Sequence, residues 1–323
     1  MKHVMTLLSS LFLILAITSC EYKELCYDHS HVVDVRIDYD WSLAPDADPQ
    51  SVSAYLYRAE ARSAFPERFD FQNKLGGNVR LEFGDYVLLG LNNDTETILL
   101  RRTESLSSFE AYTRWSTLEE GTQIYTRTAM PNAAGAKEQP VALEPEMLWG
   151  GQGDALSLEF GQEGGHTTIY PRPLVSHVRV VLHNVPNLKY TGQFGGALSG
   201  LAGGVNVSTG EMTDDLVVVA FPVQKVDENT LVAEFNTFGH CPHEEEGLTN
   251  QHIFTLYAVL ADGSKWYYSE DVSKQMHNDE QNPDQYNIYI ELDDLPLPKP
   301  IVNGSGFKPD IDGWSPEEIE VTM

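Results

Sequence analysis

Beyond about residue 32 the chain is a succession of short runs in which apolar and polar positions alternate. Val33, Val35, Ile37 and Tyr39 are separated by Asp34, Arg36 and Asp38, with Asp40 following. A period of two predicts a strand with one dry face and one wet face. Residues 52–57 (VSAYLY) predict a second strand and residues 79–83 (VRLEF) alternate again. After the turn at Gly84-Asp85, residues 86–91 run on almost wholly apolar, which predicts a more fully buried strand. Residues 97–101 and 156–160 add two more, the latter as the last strand of the first half. In the second half, Val178, Val180 and Leu182 alternate with Arg179, Val181 and His183, and residues 216–221, 231–238, 253–260, 265–269 and 286–292 continue the pattern. No segment sustains a helical period over three turns. Residues 109–115 suit one or two helical turns, and 116–145 read as a long loop or flap. Many short strands with turn residues between them predict an all-β protein built from β-sandwiches.

A length of 323 residues suits two such domains of about 130–150 residues each. The glycine-rich break at 161–165 (GQEGG) marks the boundary. The expected organisation is a leader over 1–19, a tether over 20–26, an N-terminal sandwich over 27–162 and a C-terminal sandwich over 163–323 with a Pro/Gly-rich tail. Ile319, Val321 and Met323 alternate at the end of that tail and predict one last strand.

The first twenty residues differ in kind. A short basic start at Lys2 precedes the apolar residues 7–17 (LLSSLFLILAI), followed by Thr18, Ser19 and Cys20. An apolar run this short matches the hydrophobic region of an export signal and cannot span a bilayer. Small residues running directly into a cysteine resemble a bacterial lipobox, in which Cys20 becomes the acylated first residue of the mature chain. Several acyl chains on one residue give stable attachment to a membrane. The charged residues Glu21, Lys23 and Glu24 follow; acidic residues there resemble the signal that sends lipoproteins of the Bacteroides group to the outer face of the outer membrane.

Charge excludes some partners. With 48 acidic and 21 basic residues the formal net charge is −27, and Arg101-Arg102 is the nearest thing to a basic cluster. Nucleic acid and anionic lipid need basic patches and are repelled by such a field. Two further cysteines, Cys26 and Cys241, follow the leader. An exported chain permits a disulfide between them, and two buried free thiols are the other reading.

Few segments offer chemistry. Residues 195–204 (GGALSGLAGG) lack the Gly-Lys-Ser/Thr ending of a phosphate loop and the spacing of a nucleophile elbow, so they read as a flexible or tightly turned connection. His240, Cys241 and His243, with His252 as the nearest further donor, form the densest ligand-like run. Pro242 constrains that run and there is no second spaced pair, so a solvated loop is the expectation and no metal site is assigned. His29 and His31 read as a polar strand start. Asn92-Asn93-Asp94-Thr95-Glu96 reads as a turn, because the twelve-residue calcium loop is absent. No catalytic residue and no cofactor are assigned. Trp266 and Tyr268 lie on a predicted strand and are candidate contact aromatics.

Several runs resemble a family of lipoproteins of the Bacteroides group, DUF5119: residues 25–29 (LCYDH), 38–41 (DYDW) with 44–47 (APDA), 92–96, 147–149 (MLW), 198–200, 238–242 (FGHCP), 258–268 (AVLADGSKWYY) and 295–304 (LPLPKPIVNG). More distantly, Cys20, Cys26 and the strands at 33–41 and 52–57 are similar to the opening of the fimbrillin-like superfamily, in particular anchor subunits of the FimB/Mfa2 type. That resemblance implies two transthyretin-like sandwiches in tandem, no catalytic residues, and assembly by strand addition with fimbrillin-like subunits. Ile319, Val321 and Met323 are then the candidate strand-exchange segment. A lipid-held anchor more naturally accepts a strand than donates one, so the tail can instead pair within its own chain. The expectation is a surface-facing outer-membrane lipoprotein acting as anchor or accessory subunit of a fimbria-like assembly. A stand-alone binding module for glycan or host protein is the alternative, and a hydrolase or metalloenzyme a third.

Overall fold

The computed structural model describes residues 32–59, 65–132, 139–240, 251–278, 280–282, 284–300 and 314–316. Two β-sandwiches follow one another along the chain, each with its own core, as expected of an all-β tandem architecture. In the first, β1 (Val32–Tyr39), β2 (Val52–Arg58), β3 (Glu67–Phe71), β4 (Gly76–Glu82) and β5 (Gly84–Asn92) are followed by the short β6 (Leu99–Arg101), β7 (Glu110–Tyr112), helix α1 (Leu118–Thr122), β8 (Val141–Ala142), β9 (Trp149–Gln152), β10 (Leu156–Leu158), β11 (Gly165–Ile169) and β12 (Arg172–Pro173). One sheet has the order β11-β1-β4 and the facing sheet β12-β9-β5-β2-β3, with β10 also on β5. Val33, Val35 and Ile37 of β1, with Leu81 and Ile169, close on Val52, Ala54, Leu56, Tyr86 and Leu88. The alternation in β1 therefore points its odd residues into this core.

The second sandwich comprises β13 (Ser176–His183), β14 (Thr191–Ala202), β15 (Gly204–Asn206), β16 (Leu216–Pro222), β17 (Gln224–Lys225), β18 (Leu231–Thr237), β19 (Ile253–Leu260), β20 (Lys265–Asp271), helix α2 (Ser273–Met276), β21 (Asn287–Asp293) and β22 (Trp314–Pro316). A four-stranded sheet β17-β18-β13-β21 faces a six-stranded sheet β22-β20-β19-β14-β16-β8. Val178, Val180, Leu182, Phe221, Phe235, Phe254 and Ile290 fill the space between them.

The central strands of the larger sheets are covered on both faces, which explains why they read as unbroken apolar runs. Behind β2 and β5, Tyr55, Tyr57, Leu89 and Leu91 meet Phe109, Leu148, Val175, Val205 and Phe238. This third cluster joins the two sandwiches. Behind β14, β16 and β19, Ala197, Val218, Ala220 and Tyr257 are covered by Leu118, Ile124 and Met130.

That last cover is the main departure from expectation. Residues 116–132 and 139–145, within the stretch predicted as a long loop or flap, strap the C-terminal sandwich, although they are bracketed in sequence by strands of the first. Helix α1 is capped by Thr117 Oγ1, which accepts from the Glu120 N–H at 3.1 Å. Tyr257 Oη donates to the Pro131 carbonyl at 2.7 Å, and β8 adds in parallel to β16. Residues 109–115 hold the short strand β7 and no helical turn, because Glu110–Tyr112 pair with both β6 and β15. The boundary also moves. β11 pairs with β1 and Ile169 belongs to the first core, so the chain passes between sandwiches at about 170–175 and not at 162. Residues 195–204, expected to be a flexible connection, are mostly the buried interior of β14. Their small side chains are a packing demand: a Cβ on Gly196 would collide with the Phe221 ring, and one on Gly195 with Thr122.

A charged clasp ties the halves together. Glu110, 8% exposed, accepts from Arg101 Nε and from Arg102 Nη1, each at 2.6 Å, while Arg101 Nη2 reaches Asp215 of the second sandwich at 3.1 Å. Glu110→Gln removes the charge that both guanidiniums face. Because the arginines are partly exposed and can rehydrate, the expected loss is about 2 kcal/mol, read as a lower midpoint in urea unfolding with an unchanged slope.

Candidate functional site

The sequence singled out Cys20 for lipid, Cys26 and Cys241 for a disulfide, Trp266 and Tyr268 for contact and a strand in the tail, and left a run of histidines unassigned. The structure treats them differently. Tyr268 is 7% exposed within the C-terminal core, and its hydroxyl donates to Glu270 at 2.7 Å; it is not an outward contact aromatic. The reason is register: Tyr268 lies opposite the fully buried Leu256. Trp266, on the same face, is half-buried, with Nε1 donating to Ser264 Oγ at 3.3 Å. Cys20, Cys26, Cys241, His243, His29, His31 and the tail residues Ile319, Val321 and Met323 lie outside the described residues.

Just before that tail, β22 pairs in parallel with β20, setting Trp314 opposite Lys265 and Pro316 opposite Tyr267. Trp314 packs edge-on against Tyr257 at 5.4 Å between ring centroids. The chain's own C-terminal region thus covers part of the β20 edge. The opposite sandwich face has its long edge strand, β21, closed by side chains. Glu291 N–H donates to Gln275 Oε1 at 2.9 Å and Gln275 Nε2 returns a bond to the Glu291 carbonyl at 2.8 Å. Tyr289 N–H donates to Asn282 Oδ1 at 2.7 Å, and Gln281 Nε2 donates to the Tyr289 carbonyl at 3.0 Å. Amide side chains stand where another strand's backbone would pair, which protects an edge from unwanted addition.

The acidic run at 92–96 spends its oxygens on the fold. Asn92 Oδ1 accepts from the Trp149 N–H at 2.8 Å, Asp94 Oδ1 from Asn92 Nδ2 at 2.8 Å, and Asp94 Oδ2 from the Gln50 N–H at 2.7 Å. Between the sandwiches lies a cleft of about 450 Å³ lined by Met147, Trp149, Pro173, His177 and Tyr286 among others.

At one end of the C-terminal sandwich three histidines converge: His240, His252 and His277, whose ligand-capable atoms lie within 4.8 Å of one another. Each arrives from a different segment. His240 follows β18 and bridges to Leu201, His252 immediately precedes β19, and His277 immediately follows α2. Their ring centroids are 4.9, 5.0 and 5.6 Å apart. His252 has no exposed surface. Its Nε2 is 3.2 Å from His277 Nε2 and its Nδ1 is 3.2 Å from the Ser199 carbonyl. A carbonyl only accepts, so Nδ1 carries the proton and Nε2 presents a lone pair. Burial pushes the His252 pKa down to about 4; the Ser199 carbonyl opposes that shift, and His240 and His277 add to it. The ring is therefore a neutral imidazole at ordinary pH. Gly200 makes room for it: at φ +75° it forms the β14 bulge, and a Cβ there would lie 2.8 Å from His252 Nδ1. Further bonds fix the loops, from the His252 N–H to Ser273 Oγ at 2.8 Å and from the Ile253 N–H to Ser199 Oγ at 3.0 Å. The sequence marked His240 and His252 but not His277, which stands 25 residues beyond His252; nothing in that spacing announces a shared site.

The profile of the family described as "Domain of unknown function (DUF5119)" matches residues 19–222, a span that ends before all three histidines. No curated protein matches the chain. Among solved structures, a candidate adhesin from Bacteroides ovatus superposes with a TM-score of 0.60 at 21% identity, covering 84% of this chain and 94% of that one. The fimbrial anchor protein Mfa2 from Porphyromonas gingivalis gives 0.45 at 16% identity, covering 81% and 90%. A candidate polysaccharide-binding protein from Bacteroides thetaiotaomicron gives 0.47 at 13%, covering 81% and 90%.

Proposed function

The chain belongs to the DUF5119 family, and from that premise we propose that it is a lipid-anchored protein of the outer membrane, facing the cell exterior, that acts as a non-enzymatic anchor or accessory subunit of a fimbria-like adhesive assembly. The observation that carries this reading is the tandem-sandwich fold shared with the Bacteroides ovatus candidate adhesin over nearly the whole of that protein. The lipobox at Cys20 supports the attachment and the acidic residues after it the outward orientation. Affinity capture of the full-length lipoprotein from detergent-solubilised outer membranes, read by mass spectrometry, tests it. Fimbrillin-like subunits are expected in quantity; recovery of glycan-uptake proteins, or of nothing, would count against assembly.

The β20 edge is the natural place for a partner strand to join, since β21 is closed by amide side chains and β20 pairs along that edge with three described residues of β22. In this reading Trp314–Pro316 hold the edge within the chain until a partner strand replaces them. Deleting 314–323 is expected to leave the protein folded and to raise co-purification of partner subunits several-fold. Unchanged recovery would place the junction elsewhere.

The second reading, capture of glycan or host protein, is favoured by the cleft between the sandwiches. Trp149 and Tyr286 line it, and aromatic faces with nearby polar groups suit sugars. Glycan arrays comparing the wild type with a Tyr286→Ala variant test this; no binding by the wild type removes it.

A further inference from the structure

We infer that His240, His252 and His277 form a binding site for a divalent transition-metal ion, zinc foremost. The inference rests on geometry and is independent of the assembly role. Three imidazoles, and no carboxylate or thiolate among the described ligand set, converge with their ligand-capable atoms within 4.8 Å of one another. Imidazole nitrogen suits zinc, copper and nickel and does not suit calcium or magnesium.

The spacing fits. Two nitrogens each about 2.0–2.1 Å from a tetrahedral ion are separated by roughly 3.3 Å, and His252 Nε2 and His277 Nε2 are 3.2 Å apart. A hydrogen bond between those two nitrogens would have the same length. The third ring stands beside that pair, with the His240 ring centroid 4.9 Å from that of His277 and 5.6 Å from that of His252, and zinc titration of the wild type against a His277 variant separates the two readings.

The surroundings are those of a ligand set already oriented. A metal-bound histidine characteristically donates its other ring N–H to a carbonyl or carboxylate, which fixes the ring and its tautomer. His252 does this through Nδ1 to the Ser199 carbonyl. That carbonyl sits at the β14 bulge, where Gly200 is held in the left-handed region. Three nitrogens from the described residues leave one tetrahedral position open.

Bound there, an ion would staple three segments that the sheets alone hold only at their ends: the exit from β18, the entry to β19 and the end of α2. Binding confined to the folded state stabilises it in proportion to the logarithm of ion concentration.

The test uses the full-length lipoprotein in detergent, without a polyhistidine tag, stripped by chelator and titrated calorimetrically with zinc chloride. His277 is exposed, so His277→Gln spares the core and far-ultraviolet circular dichroism verifies its fold. The expected result is one zinc per wild-type chain, with affinity at least about tenfold weaker in His277→Gln. Zinc should also raise the melting temperature of the wild type more than that of the variant. Cobalt-loaded wild type should show visible absorption of tetrahedral intensity that the variant lacks. Wild type and variant binding zinc equally, or a wild type that binds no zinc more tightly than about 0.1 mM, would overturn the site.

Discussion

A Cys20→Ser variant is expected to incorporate no labelled palmitate and to be lost almost entirely from the outer-membrane fraction. The size of the effect follows from how little else could hold the protein there. A single acyl chain gives only marginal binding, each buried methylene adding about 0.8 kcal/mol, and stable attachment needs two or more chains or a second electrostatic signal. With a net charge of −27 the chain repels anionic headgroups. No helix among the described residues is long and apolar enough to cross a membrane. In the proposed role, attachment rests on the acyl chains of Cys20. Palmitate labelling followed by membrane fractionation checks it, and retention of label in the variant would move the lipid away from Cys20.

Phe221→Ala is expected to be the most damaging of the core truncations, at about 3–5 kcal/mol. Phe221 is fully buried. Its ring stacks on Phe235 with centroids 3.8 Å apart and planes 6° from parallel, and lies 6.4 Å from Phe254. Its other neighbour is Gly196, whose lack of a side chain leaves the space the ring fills. Two-state stabilities are about 5–15 kcal/mol, so the loss takes a large share and should lower the melting temperature by roughly 10 °C. The pair can be tested as a cycle. Gly196→Ala should destabilise the wild type, where its Cβ meets the ring, and cost much less in the Phe221→Ala background. Additive costs would show that the glycine is there for another reason.

How much of this was legible in the sequence depended on whether neighbours in space were neighbours in the pattern. β1, β13 and β21 bury one face, so their alternation announced both strand and orientation. β5, β16 and β19 bury both faces, and their apolar runs announced strands but not what covers them. The covering strap could not be found in that way: Leu118, Ile124 and Met130 stand six residues apart with mostly polar residues between them, a spacing that announces no single element, and each is buried by a sheet formed about a hundred residues later. Residues 195–204 misled because glycine usually signals a turn, whereas here Gly195 and Gly196 admit Thr122 and Phe221 into a continuous strand. The boundary was set too early because β11, which follows the glycine break, returns to pair with β1. The histidine cluster was half visible. His240 sat in a suggestive run, but its partners come from two other segments and meet only when β14, β19 and α2 are in place.

The strap has a mechanical consequence. In the proposed role the protein, held by lipid at one end and by partners at the other, would carry load along its length. In two beads joined by a linker, tension would open the junction first. Here a segment from within the first sandwich's sequence is fastened across the second, by β8 on β16, by Tyr257 on Pro131 and by three buried apolar side chains. The cluster around Phe109 and Phe238 also joins the two sandwiches. Tension that parts the sandwiches must also peel this strap from its sheet, so the two halves should yield together, as one event at higher force, rather than in sequence.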